Sequence, residues 1–166
     1  MIRAMEERDL ARVLHINQRA RPALGDLDAD RLRQLVGWAA HALVVDEGEV
    51  QAFVLALEPG QPYGSTNYLW LEERLDDHVY VDRIGVAEGA RGRGLGSALY
   101  AALAARTGDR RITCEVNTRP PNEGSIRFHR RHGFVGIGRQ QTEGGNKEVL
   151  LMATVPPALP AGLTAL

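Results

Sequence analysis

Lysine is almost absent from this sequence: Lys147 is the only one, so nearly all the positive charge is arginine. This excludes the Gly-Lys-Ser/Thr phosphate loop, whose lysine reaches the terminal phosphates. It also makes the clustering of arginines informative, because their planar forks bind phosphates in a bidentate way. Cysteine is equally scarce, and Cys114 alone cannot form an internal disulfide. No apolar run is long enough for a membrane helix. Residues 1–10 mix charges of both signs and lack the apolar stretch of a secretory signal. A cytoplasmic protein that does not act at a membrane is therefore the expectation. An excess of one charge is missing too. Twenty basic residues against 21 acidic leave a formal charge of −1, which argues against a nucleic-acid protein working through bulk charge.

What is present suits one ordinary soluble domain. The chain has 166 residues, 44% hydrophobic and 25% charged, enough to bury a core without disulfide or metal. Ile2–Ala4 reads as a short edge strand. Residues 6–19 and 28–40 carry apolar residues at helical spacing, and Asp28 is placed to cap the second helix. Residues 42–45 and Val50–Leu57 are apolar runs around a polar, glycine-containing loop, a hairpin pattern. Residues 58–77 read as a long irregular segment with aromatics at Tyr63, Tyr68 and Trp70, of the kind that forms lids or pins itself to a core. Strands follow at 79–86, 111–116, 134–138 and 148–154, with helices at 94–106 and 122–132. Gly133 stands as the C-cap of the latter. The Pro/Ala-rich residues 156–166 read as a loose tail after one domain at 1–155. Strands and helices alternate only in the second half, so the fold class is a mixed α/β sheet with helices on both faces.

One segment carries chemistry. After the strand residues Asp82-Arg83-Ile84-Gly85-Val86 comes Arg91-Gly92-Arg93-Gly94-Leu95-Gly96-Ser97, and then a helix. Glycines allow a tight turn and a close approach of backbone N–H groups to a ligand. A helix N-terminus adds unpaired donors and the positive end of its dipole. Together they make a phosphate cradle, to which Arg91 and Arg93 add charge. The dinucleotide pattern G-x-G-x-x-G fails, because Ser97 stands where its third glycine would be. A glycine turn without a ligand is the plain alternative.

This turn resembles the Arg/Gln-x-x-Gly-x-Gly/Ala signature of the GNAT superfamily of N-acetyltransferases. The resemblance implies that Arg91, Gly94 and Gly96, with Gly92, Arg93, Leu95 and Ser97 as neighbours, bind the pyrophosphate of acetyl-CoA. It also implies that the backbone of Ile84 and Val86 pairs with the pantetheine arm. The implied fold is a mixed, mostly antiparallel twisted sheet with about four helices and a V-shaped splay between the strands at 79–87 and 111–117. A second marker resembles the family pattern as well: Asn122, Ser125, Phe128, Gly133 and Phe134 match, and His129 replaces the family's tyrosine. Asn122, Ser125 and Phe128 are thereby implied in cofactor binding. Pro120-Pro121 lengthens the preceding loop, and with the long aromatic segment this looks like a bacterial subgroup.

Three residues are candidates for the chemistry. Glu115, mid-strand, matches a glutamate that serves as general base in some ribosomal-protein N-acetyltransferases. Asp82 is the rival base, and an ion pair is the plain reading of both. His129 is the candidate acid for the departing thiolate, with a packing role as its plain reading. The expected reaction is direct transfer of the acetyl group to a primary amine of a small molecule or peptide. A non-catalytic acyl-CoA-binding domain is the alternative. The resemblance also implies a homodimer. Metal is not expected, since His129 and His132 have no further ligands near them in sequence.

Overall fold

The computed structural model describes residues 1–166. Seven strands form one sheet in the order β1-β2-β3-β4-β5-β7-β6, accompanied by five α-helices. The strands are β1 (Ile2–Ala4), β2 (Ala39–Asp46), β3 (Val50–Leu57), β4 (His78–Val86), β5 (Arg111–Arg119), β6 (Phe134–Thr142) and β7 (Lys147–Thr154). The helices are α1 (Leu10–Arg19), α2 (Ala29–Trp38), α3 (Thr66–Glu72), α4 (Leu95–Thr107) and α5 (Glu123–Arg131). β1 with β2, β2 with β3, β5 with β7 and β6 with β7 pair antiparallel. β4 pairs in parallel with β5, His78 to Tyr80 against Arg111 to Thr113. The sheet is thus mixed and mostly antiparallel, as expected.

The chain divides into two compact units. The first comprises Met1–Leu57 and Val81–Arg106. Its core is apolar, with Val13, Leu32, Val44, Phe53, Leu55 and Leu99 fully buried. Asp28 caps α2 as expected, its carboxylate accepting from the Arg31 amide at 2.7 Å. That helix ends at Trp38 and runs straight into β2 at Ala39, so the hairpin strand starts three residues earlier than the apolar run suggests. Gly85 in β4 is required by packing. A Cβ there would stand 2.6 Å from Phe53 Cε1, closer than real Cβ contacts come, and 3.3 Å from Leu24 Cδ1, tighter than most.

The second unit comprises Glu58–Tyr80 and Thr107–Leu166. The segment after β3 is not irregular throughout, because it contains α3, one of the five helices. Ser65 caps α3, accepting from the Tyr68 amide. The helix is only seven residues long, too short for its periodicity to stand out in sequence. Tyr68 is fully buried and donates its hydroxyl to the Glu58 carbonyl at 2.7 Å. Its ring lies 5.5 Å from Tyr63 and 5.4 Å from Tyr80. The aromatics of this segment therefore pin it to its own unit.

Two further elements differ from expectation. β6 continues to Thr142 through Arg139, Gln140 and Gln141. It ends the strand order, and an edge strand accepts polar residues that a central one would not. Residues 156–166 are tied down. The buried Arg111 guanidinium donates to the carbonyls of Thr154, Pro157 and Ala158, and the Leu166 amide donates to the Gly136 carbonyl at 2.8 Å. The proline-rich composition suggested a loose tail because it hides backbone acceptors that only a distant arginine uses.

Candidate active site

In the first unit, β4 leads through residues 87–90 into the glycine turn. Side chains alternate along a strand, so Ile84 and Val86 face opposite to Gly85, which meets the Phe53 ring. Arg91 to Gly94 are exposed, Leu95 and Ser97 are half-buried and Gly96 is buried. Gly92 and Gly94 have φ of +77° and +78°, and nothing lies within 4 Å of where a Cβ would stand on either. The backbone is thus left-handed at two points with open space beside it. The first turn of α4 follows, and its N–H groups have no intrahelical acceptor. This arrangement fits a diphosphate: open backbone, helix-end donors and two arginines. One of those arginines is engaged already. Arg93 is held by Glu47 of the β2–β3 turn, with both carboxylate oxygens 2.9 Å from one guanidinium nitrogen. A bound diphosphate would compete with that carboxylate.

Asp82 also lies in the first unit. Its carboxylate is 2.7 Å from Arg83 Nε, with only 2% of the side chain exposed. Arg83 in turn donates to Asn17 Oδ1 at 2.9 Å, and Asn17 Nδ2 donates to the Gly25 carbonyl at 3.0 Å. Asp82 is therefore a buried ion-pair partner in a chain that fixes the α1–α2 loop. A carboxylate so engaged is poorly placed to take a proton from a substrate.

In the second unit, Glu115 is half-buried at mid-β5 and paired in register with Leu151 of β7. The fully buried Tyr80 donates its hydroxyl to Glu115 Oε2 at 2.7 Å. The phenol fixes the carboxylate's orientation. Nothing in the sequence pointed to Tyr80, which lies 35 positions from Glu115.

α5 carries the remaining candidates. Asn122 accepts from the Ser125 amide at 3.2 Å and caps the helix. The Phe128 ring lies edge-on to His129 at 5.3 Å and tilted against His132 at 4.7 Å. His129 is 3% exposed, and its Nδ1 lies 2.8 Å from the Ser125 carbonyl and 3.3 Å from Ser125 Oγ. A carbonyl only accepts, so Nδ1 carries the proton and Nε2 the lone pair. Burial, only partly offset by that hydrogen bond, pushes the His129 pKa down to about 4. An imidazole so held is neutral at pH 7 and has no proton to give from Nε2. The geometry favours a packing role over the acid role expected of it.

That burial has a measurable consequence. Between pH 6.5 and about 4 the unfolded chain binds a proton at residue 129 that the folded chain does not, so stability falls as pH falls through this window. The full difference is roughly 3 kcal/mol. His78 and His132 are also pushed down by burial and act in the same sense. Urea unfolding at pH 7 and pH 5 should show a lower midpoint at pH 5. His129→Gln, which keeps a donor for Ser125, should shrink that difference. An unchanged difference would show that the imidazole is not held neutral.

No group of three or more His, Cys, Asp or Glu side chains is placed to hold a metal, and no helix is long and apolar enough to cross a membrane.

Residues 4–134 match the model of the acetyltransferase (GNAT) family. No curated protein matches this sequence. Among solved structures, the ribosomal-protein-S18-alanine N-acetyltransferase of Escherichia coli is similar over 99% of this chain and 98% of its own, with a TM-score of 0.71 and 19% identity. Ard1 from Thermoplasma volcanium is similar over 92% and 95%, with a TM-score of 0.73 and 20% identity. The ribosomal-protein-alanine N-acetyltransferase of Brucella melitensis covers 93% and 99%, with a TM-score of 0.67 and 24% identity. The match spans most of the chain, and the chain belongs to the GNAT family of acetyltransferases. It is accordingly an enzyme whose acetyl donor is acetyl-CoA.

Proposed function

We propose that this protein is an N-acetyltransferase acting on a primary amine, with residues 1–155 working as one catalytic domain. The observation that carries the reading is the glycine turn. Two left-handed glycines beside open space and two arginines lead into a helix start. Arg91, Arg93 and the backbone of residues 92–97 would hold the diphosphate, and the backbone of Ile84 and Val86 the pantetheine arm. Asn122, Ser125 and Phe128 would contribute through the shape of α5.

Glu115 is the base in this proposal, oriented by Tyr80. The carboxylate takes a proton from the acceptor ammonium. The free amine nitrogen attacks the thioester carbonyl, the C–N bond forms, and the C–S bond breaks. The leaving thiolate takes up the second amine proton, so CoA departs as the thiol. Glu115 is preferred to Asp82 because Asp82 is committed to Arg83.

Peptide amines are the first acceptors to try. The similar proteins include two ribosomal-protein alanine N-acetyltransferases and Arabidopsis thaliana Naa50, solved with the bisubstrate analogue CoA-Ac-MVNAL.

Thermal unfolding with acetyl-CoA, NAD or ATP tests the cradle. Acetyl-CoA at one hundred times its Kd adds about 2.7 kcal/mol, which raises Tm by about 5–10 °C for a chain of this size. NAD and ATP should do much less. A shift of equal size with all three would refute selective binding. Release of free CoA with a panel of peptides and small amines then identifies the acceptor class.

A further inference from the structure

We propose that the first unit holds a second ligand site, a cavity between α1 and residues 87–89 that takes a small dianion, and that its occupancy weakens acetyl-CoA binding through Glu88. The coupling rests on the diphosphate reading of the glycine turn; the site itself does not.

The cavity has a volume of about 200 Å³. That is below the roughly 300–1,000 Å³ of drug-sized pockets, so it suits a phosphate or a short dicarboxylate and not a nucleotide. One wall is a single face of α1, where Arg12, His15 and Arg19 follow at i, i+3 and i+7 and Ile16 closes the floor at 2% exposure. Gln51 of β3 and Glu88 complete the lining with Ala87 and Gly89. Two of the lining residues are joined, because the Ala87 amide donates to the Gln51 carbonyl at 2.8 Å.

The charges around it are only lightly committed. Arg12 donates through Nε to the Val50 carbonyl at 3.1 Å and pairs with Glu49 at 3.0 Å, where 59% of the Glu49 side chain is exposed. Arg19 makes one contact, 2.8 Å to Glu88, with both side chains more than half exposed. Exposed pairs of this kind are individually weak. A dianion offering two oxygens to each fork makes stronger, charge-assisted bonds and displaces them. His15 and the Gln51 amide supply further polar contacts.

Glu88 links the cavity to the cradle. It begins the short turn that ends at Arg91, whose amide donates to the Glu88 carbonyl at 3.4 Å, and its carboxyl is held below the usual range first by Arg19 and also by the positive field of Arg91. Once an anion takes Arg19, the remaining cation acting on Glu88 is Arg91, the first arginine of the glycine turn. A carboxylate drawn there opposes a diphosphate.

Titration calorimetry of the full chain with inorganic phosphate, and separately with succinate, tests the site at constant ionic strength with sodium chloride as control. Binding should be at least 10-fold weaker in Arg12→Gln/Arg19→Gln. The two probes distinguish a phosphate-bearing from a carboxylate ligand. Saturating the site should raise the acetyl-CoA Kd about 3–10-fold in the wild type, and Glu88→Gln should abolish that rise while still binding the anion. Equal anion binding in the double variant would place the anion away from Arg12 and Arg19 and overturn the proposal, as would heats no larger than the chloride control. If acetyl-CoA did not bind the wild type at all, the cradle reading and the coupling would both fall, whereas the anion titration would still decide the site.

Discussion

Replacing Glu115 with glutamine is expected to lower kcat/KM for acetyl transfer by about 10²–10⁴-fold at neutral pH, the usual worth of a positioned general base. The substitution keeps size and shape. The amide oxygen of glutamine can still accept the Tyr80 hydroxyl, which reaches Glu115 at 2.7 Å, so the fold and the acetyl-CoA Kd should change little. What disappears is the ability to take a proton. Rate should then rise with pH in the variant as the amine deprotonates in solution. Tyr80→Phe tests the positioning half of the arrangement. It removes the bond but not the carboxylate, so a smaller loss is expected, with an altered pH profile. Steady-state kinetics with the acceptor found by the amine panel would decide both. Full activity in Glu115→Gln would overturn the base assignment.

Gly94→Val is expected to weaken acetyl-CoA binding by about 10–100-fold while leaving the protein folded. The reason is conformational. Gly94 has φ of +78°, a region that costs an L-residue roughly 1–2 kcal/mol and a β-branched one more. No atom lies within 4 Å of the new Cβ, so the penalty is not a collision that neighbours could relieve by moving. The turn escapes only by leaving the left-handed conformation, and this turns its N–H groups away from the expected diphosphate. Tm should fall by only a few degrees. Gly37→Val is the matched control, because it also has open space around it but no positive φ. Calorimetry that found equal affinity in Gly94→Val and wild type would show that the left-handed turn is not part of the cradle.

Legibility from sequence followed the range of the physics involved. The helix cap at Asp28 is a local hydrogen bond between residues three apart, and it is made. The glycine turn was legible for the same reason. α3 was not, because seven residues leave little periodicity to detect. The hold on residues 156–166 was not legible either, since its donor, Arg111, lies more than forty positions upstream.

The candidate chemistry shows the same division. By itself the sequence determined the family, the mixed fold and a glycine turn opening a helix at residues 91–97, because backbone freedom and helix-end donors are properties of contiguous residues. Only the tertiary structure decided how the titratable candidates are used. Asp82 and Arg83 are adjacent and alternate faces along an ideal strand, yet their side chains meet at 2.7 Å. Glu115 is oriented by Tyr80 across two strands. His129 matches a reactive position but is buried against the Ser125 carbonyl and held neutral. Proton affinity and orientation depend on burial and on partners from elsewhere in the chain, and those are fixed by folding.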